Sequence, residues 1–158
     1  LGFTAQQTLD YLQNLYEKKL CTYPRTDSRY LTSDMAEGLP VLVNLVANAM
    51  LFRKGIAISC DAAAVINDKK VTDHHAVIPT RNIREADLSA LPVGERAILE
   101  LVALRLLCAV APSYIYDETS VTVACAGAEF TAKGRTVKQF GWRALAAWMS
   151  EYGDQLER

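Results

Sequence analysis

Apolar residues recur at helical spacing in three stretches of this chain and alternate with polar ones in a fourth. The first stretch opens on Thr4-Ala5-Gln6-Gln7, an N-cap hydroxyl with a glutamine three positions later, the pattern of a capping box. Leu9, Leu12, Leu15 and Tyr16 then share one face, and Lys18 and Lys19 follow where cations suit a helix end, which predicts a helix over 5–19. Thr32-Ser33-Asp34 caps a second element that Gly38 and Pro40 interrupt. A short helix, a break and a longer helix from Pro40 to Phe52 are expected, with Val41, Leu42, Leu45, Val46 and Met50 as its apolar face. Over 94–110, Ile98, Leu101, Val102, Leu104, Leu106 and Leu107 make a helix apolar around most of its girth, which predicts burial, and Pro112 ends it. From Tyr114 the period becomes two. Thr119 to Cys125 alternates as a strand, Gly127 turns the chain, and a partner strand starts at Glu129, with a bulge expected at Gly134. Trp142 to Met149 predicts a last short helix, followed by a tail expected to be mobile. The fold class is therefore α+β and mainly helical.

Between these elements the pattern is weaker. Leu20 to Tyr23 is β-like, 55–67 holds short extended pieces, Asn67 to Lys70 is a turn, Val71 to Thr80 is extended, and 81–95 connects to the long helix.

Composition narrows the classes without choosing one. A chain of 158 residues suits one domain, or one and a half, and buries roughly 70% of its unfolded surface. Its hydrophobic fraction of 51% and charged fraction of 22% are ordinary for a soluble globular protein. The net charge of −1 shows no global basic excess, so any contact with nucleic acid must be local. One local excess exists: Lys133, Arg135, Lys138 and Arg143 follow Phe130 with no acid among them, which suits either a nucleic-acid face or a solvated edge strand blunted by lysine. No apolar run reaches the length of a membrane span, and Leu1-Gly2-Phe3 is no signal peptide; starting on Leu, the chain is expected to be a piece of something longer. The four cysteines, at 21, 60, 108 and 125, form no close pair, which argues against zinc. Cys108 and Cys125 are expected as buried free thiols in a reducing compartment, the cytoplasm, and Cys21 as a small apolar strand residue. No repeat, P-loop or dinucleotide glycine motif is present.

The unusual chemistry is concentrated in Cys21-Thr22-Tyr23-Pro24-Arg25-Thr26-Asp27-Ser28-Arg29-Tyr30. Pro24 fixes its own φ and pushes Tyr23 toward extended backbone. Tyr23 and Arg25, two apart in a near-extended run, then share a face with Cα atoms roughly 6–7 Å apart. A phosphate could meet both: the phenol is a possible nucleophile, and the guanidinium is a planar fork for phosphate oxygens that also stabilises developing negative charge. The same residue types also build plain turns, and Asp27 and Ser28 would serve equally as helix caps. The only two histidines, His74 and His75, lie in Val71 to Thr80. Adjacent in an extended segment, they point to opposite faces, so at most one can serve a given site. Phosphate contact is the sharper reading for them. A metal site would need ligands beyond Asp68 and Asp73, and no metal ligand is expected in this chain.

Leu15 to Leu20 running into Thr22 to Leu31 closely resembles the active-site tyrosine motif of type IA DNA topoisomerases. His74-His75-Ala76-Val77-Ile78-Pro79-Thr80 resembles that family's second motif in the form of the topoisomerase III branch. The strands and Lys-Gly-Arg and Gly-Trp patterns of Tyr114 to Trp142 are similar to those that follow in the family. The resemblance implies Tyr23 as the nucleophile that becomes a 5′-phosphotyrosine, and Arg25 as the stabiliser of the scissile phosphate. It implies His74 as a further DNA contact, with Arg29, Asp27, Ser28 and His75 in the DNA-binding surface. It also implies a winged-helix-like tyrosine domain over 1–113, then a strand pair and terminal helix from the family's arch over 114–158. Mg²⁺ would be bound in the parent enzyme by a toprim domain for which no carboxylate cluster is found here, since Asp61, Asp68 and Asp73 are scattered. The implied partners are single-stranded DNA and the remaining domains of the parent topoisomerase, with no membrane and no ATP. The fragment alone is expected to be inactive and its strands partly orphaned. The alternatives are a non-catalytic winged-helix-like module for single-stranded DNA, with Tyr23 as a stacking platform, and a purely structural helical domain. A tyrosine recombinase would need a His-x-x-Arg set that is missing.

Overall fold

The computed structural model describes residues 1–49 and 59–147. Its centre is α3 (Val93–Val110), whose Ile98, Leu99, Ala103, Leu104, Leu106, Leu107 and Val110 are all buried. The apolar girth expected for this helix is explained by its neighbours: α1 (Ala5–Glu17) and α2 (Leu39–Ala49) both pack against it, as does the short turn Ala62–Ala64. A helix contacted from several sides has no polar face to spare.

The capping box at Thr4 forms as expected. The Gln7 N–H donates to the Thr4 hydroxyl at 3.2 Å, and the Thr4 N–H donates to the Gln7 side chain at 2.9 Å. At its other end α1 stops two residues earlier than expected. Lys19 takes φ 60°, and the Lys19 and Leu20 N–H groups turn back to the carbonyls of Tyr16 and Leu15, both at 2.8 Å. This is a Schellman stop with lysine where glycine is usual.

α2 begins on Leu39 with Pro40 in its first turn, and a 3₁₀ turn at Ser33–Met35 precedes it. Its buried face is Leu39, Leu42, Val43, Val46 and Ala47. Val41, expected on that face, is exposed, because the helix presents the adjacent stripe to α3 and to the turn Arg81–Arg84. Met50 and the segment to Phe52 lie outside the described residues.

The strands form one antiparallel hairpin, β1 (Ile115–Cys125) with β2 (Ala128–Gln139), joined by Ala126 and Gly127 at φ 49° and 83°. Two positive φ values make the tight hairpin turn whose twist matches its strands. Gly134 is not a bulge: it pairs in register with Thr119. The irregularity falls between Ile115 and Tyr116, where the ribbon meets its root. Every residue of both strands is exposed. Cys125 is accordingly exposed rather than buried, since it flanks the turn of a ribbon covered on neither face, and Cys108 is only half-buried.

At the root the ribbon's two ends are clasped. The Trp142 N–H donates to the Pro112 carbonyl at 2.9 Å, and the Gln139 side chain to the Ser113 carbonyl at 2.8 Å. Gly141, at φ 49°, passes so close that a Cβ there would sit 2.3 Å from both carbonyl oxygens. Helical turns over 142–147 follow and return Leu145 to the core; the expected tail lies outside the described residues.

Among the described residues, no helix is long and apolar enough to cross a membrane. The hairpin is also the one sheet among them, and the helical part carries only two isolated bridges, Cys21 with Pro79 and Leu31 with Ile66.

Candidate active site

The segment after α1 does not float as a loop. It is stitched to residues 74–82. The Lys19 carbonyl accepts from the Thr80 hydroxyl and, at 3.1 Å, from the Asn82 amide. The Thr80 N–H donates to the Leu20 carbonyl, and the Thr22 N–H to the Ile78 carbonyl, each at 2.9 Å. The Thr22 hydroxyl accepts from the Ile78 N–H at 3.0 Å, and the Thr26 hydroxyl donates to the His74 carbonyl at 2.8 Å. Pro24 and Pro79 are both buried, one on each strand of this seam. The two sequence motifs therefore lie side by side because a short backbone bridge and threonine hydroxyls together join them.

The seam brings the Tyr23 and His74 rings to 4.4 Å between centroids, tilted by 43°. Tyr16, in the last turn of α1, meets the Tyr23 ring edge-on at 5.4 Å and 80°. The lysine-centred Schellman stop is what folds the chain back far enough for Tyr16 and Tyr23 to touch. Beside His74 an open cavity of about 360 Å³ is lined by Arg25, Thr26, Asp27, Thr72, Asp73 and His74. Tyr23 is half-buried while Arg25 and His74 are exposed, so the phenol is held by its ring and the two cationic or polar groups face solvent.

Of the site residues expected from sequence, Arg25, Asp27 and His74 line this cavity, and Tyr23 adjoins it through its ring contact with His74. The others do not. Ser28 is turned inward, its hydroxyl donating to the Lys70 carbonyl at 2.9 Å and accepting from the Tyr30 N–H at 3.1 Å. His75 has its Nδ1 2.7 Å from the Ala76 carbonyl and is half-buried. Arg29 is exposed but does not line the cavity. The backbone at 72–74 bends rather than running extended as expected, and the two histidines differ in setting: His74 is exposed at the cavity and His75 half-buried.

Sequence reading missed Tyr16, whose contact depends on the αL turn at Lys19, and Thr26, whose hydroxyl fixes the histidine segment. It also missed Glu95. This carboxylate is buried on α3 and receives Lys18 Nζ at 2.5 Å and the Asn14 amide at 3.1 Å, tying α1's end to α3's start. A glutamate four residues before Leu99, on the same helical face as that buried leucine, was the available signal.

Among the described residues, no three His, Cys, Asp or Glu side chains gather in a group able to hold a metal ion. Cys21, two residues from Tyr23, has its thiol pushed up to about 12 by burial, which keeps it protonated and out of the chemistry.

A family model described as DNA topoisomerase matches residues 1–157. The chain belongs to the DNA topoisomerase family. It is 42% identical to DNA topoisomerase 3 of Bacillus subtilis (strain 168) over 164 residues, which is 99% of this chain and 22% of that protein. It is 40% identical over 165 residues to DNA topoisomerase 3 of Bacillus licheniformis, covering 99% and 22%. It is 37% identical over 161 residues to DNA topoisomerase 3 of Vibrio cholerae, covering 99% and 25%. This topoisomerase chain thus spans about a quarter or less of the length of these curated relatives. Their likeness covers α1 through β2, so the Tyr23–His74 seam and the hairpin both lie inside the shared topoisomerase region.

Proposed function

We propose that this chain is the tyrosine-bearing part of a type IA enzyme of the topoisomerase III kind, which cuts and reseals one DNA strand without ATP. The observation that carries the reading is the meeting of Tyr23 with His74 beside a cavity lined by Arg25. In the proposed step the Tyr23 oxygen bonds to the scissile phosphorus and gives up its proton. The bond to the 3′-oxygen breaks, and that oxygen leaves as a hydroxyl on taking a proton. Arg25 offers N–H donors to the phosphate oxygens on which negative charge builds, and His74 adds a further polar contact on the same side. The aryl phosphate ester conserves the bond for attack by the 3′-hydroxyl, so resealing needs no ATP.

Single-stranded DNA is the proposed substrate. Mg²⁺ would be held by a toprim domain elsewhere in the parent, supplying charge neutralisation that this chain's residues do not. On this reading the helical part over 1–113 is the winged-helix-like tyrosine domain, and 114–158 belongs to the arch. The setting is the cytoplasm, and the chain alone does not cleave.

The test mixes this chain with a toprim-containing piece, Mg²⁺ and end-labelled single-stranded DNA, then denatures the mixture. A covalent adduct that disappears in Tyr23→Phe is the expected result. If the adduct persists in that variant, Tyr23 is not the nucleophile. If DNA is bound by a properly assembled mixture but never linked, the non-catalytic binding module is the better reading. Cleavage by the chain alone in EDTA would refute the missing metal domain.

A further inference from the structure

At the root of the hairpin two guanidiniums and three aromatic rings interleave. Arg135 lies over the Tyr116 ring at 4.7 Å, and Tyr116 and Tyr114 are 5.3 Å apart. Arg143 lies over Tyr114 at 4.2 Å and near the Trp142 ring at 5.6 Å. Phe140, beside them, is 64% exposed, and Trp142 38%. Sequence alone left the basic run after Phe130 open between a nucleic-acid face and a solvated edge, and the contacts divide it. Lys133 and Arg135 share Glu118, and Lys138 pairs with Asp117, so three of the four cations have ion-pair partners on the ribbon itself.

Arg143 is different. Among the described residues no carboxylate pairs with it, and the contacts its guanidinium makes there are with the Tyr114 and Trp142 rings. Stacking occupies the flat faces of a guanidinium and leaves its N–H donors pointing outward in the plane, where a phosphate can take two at once. A guanidinium stacked on rings beside two exposed aromatic side chains is the combination that binds single-stranded nucleic acid: bases stack on the rings and the cation meets the backbone. We propose that Phe140, Trp142 and Arg143 form a second binding site for single-stranded DNA, distinct from the cavity beside His74. The two sites sit near opposite ends of α3. The Tyr23 segment follows the α1 end that Lys18 ties to Glu95, and the ridge follows Val110; Glu95 and Val110 are about 22 Å apart along the helix at 1.5 Å per residue. A strand held at both is fixed at two points on one rigid rod.

The experiment uses the 158-residue chain and a fluorescein-labelled oligothymidylate, read by anisotropy over a salt series. Phe140→Ser alters only an exposed ring, and Arg143→Gln removes the charge while keeping an unbranched polar side chain. Each is expected to weaken binding at least about fivefold. Arg143→Gln is also expected to flatten the slope of log affinity against log salt by about 0.7, the loss of one phosphate contact on a single strand. With Trp148→Phe as background, Trp142 emission is expected to be quenched by the oligonucleotide. Unchanged affinity and salt slope in both variants, Trp142 emission unmoved by DNA, or equal binding of duplex would each overturn the site. Tyr23→Phe is expected to leave the quenching intact, so a failed adduct assay with quenching preserved would sink the nucleophile and spare the ridge.

Discussion

Lys18 and Glu95 form an ion pair whose two halves live in different solvents. The ammonium carries 45% side-chain exposure, and the carboxylate only 5%. Removing Lys18 strands a buried charge with Asn14 as its remaining partner, whereas removing Glu95's charge frees an ammonium that water already reaches. Lys18→Met is therefore expected to cost more than Glu95→Gln, roughly 2–4 kcal/mol against about 1–2 kcal/mol. Urea unfolding of both variants decides it; equal costs would mean that the pair is solvated on both sides.

The edge-on contact of Tyr16 on Tyr23 gives the nucleophile a second wall besides His74. On the proposed chemistry Tyr16 is a positioning residue. In the reconstituted adduct assay Tyr16→Ala is expected to slow cleavage about tenfold or more with DNA affinity unchanged, and Tyr16→Phe, which keeps the ring, to restore it. Loss of DNA affinity in parallel would instead make Tyr16 a DNA contact.

Thr26 reaches across the seam to the His74 carbonyl, so Thr26→Val removes the donor and leaves that carbonyl without it. About 1 kcal/mol of stability should go with it. The sharper readout is NMR: His74 ring signals are expected to lose the upfield shift that the Tyr23 ring imposes, because the histidine segment is no longer held against it.

The four thiols should react in an order that burial dictates. Cys125 is exposed and Cys21 buried, so a maleimide at neutral pH is expected to label Cys125 first and Cys21 only on unfolding. The Cys21 shift also sets a pH dependence. Its folded value of about 12 lies above the ordinary 9.0, so unfolding releases a proton between them, and stability holds below pH 9 and falls as pH rises toward 12. Cys21→Ala lacks this loss. Its stability deficit relative to the parent is expected to be constant up to pH 9 and to shrink above it.

How legible all this was depended on where the signal lay in the chain. The Thr4 capping box and the apolar girth of Val93–Val110 are local patterns, and both elements appear where periodicity put them. The hairpin was legible as strands but not as a ribbon exposed on both faces, because alternation in Val121, Val123 and Phe130 looks the same whether or not a layer covers it. Tyr23, Arg25 and His74 announced themselves by chemistry. The residues that hold them did not. Tyr16 is brought back by a lysine in a conformation that favours glycine, and Thr22, Thr26 and Thr80 act across more than forty residues of intervening chain.

Gly141→Ala is expected to be the most damaging Gly→Ala change among the described glycines. The left-handed φ alone costs about 1–2 kcal/mol for an L residue, and the new Cβ would strike the carbonyl oxygens of Pro112 and Ser113. The checks are a fall in melting temperature and a changed near-ultraviolet signal from Trp142, whose N–H forms the neighbouring half of the clasp.

That clasp also makes the ribbon a lever. Eleven residues of β1 at about 3.4 Å each give an arm of roughly 37 Å, pivoting where Pro112, Ser113 and Gly141 touch. At that length a tilt of about 10° at the pivot carries the tip through roughly 6 Å. Whatever grips the tip thus works on the last turn of α3 with mechanical advantage, and a force too weak to distort the helical core can still turn the ribbon.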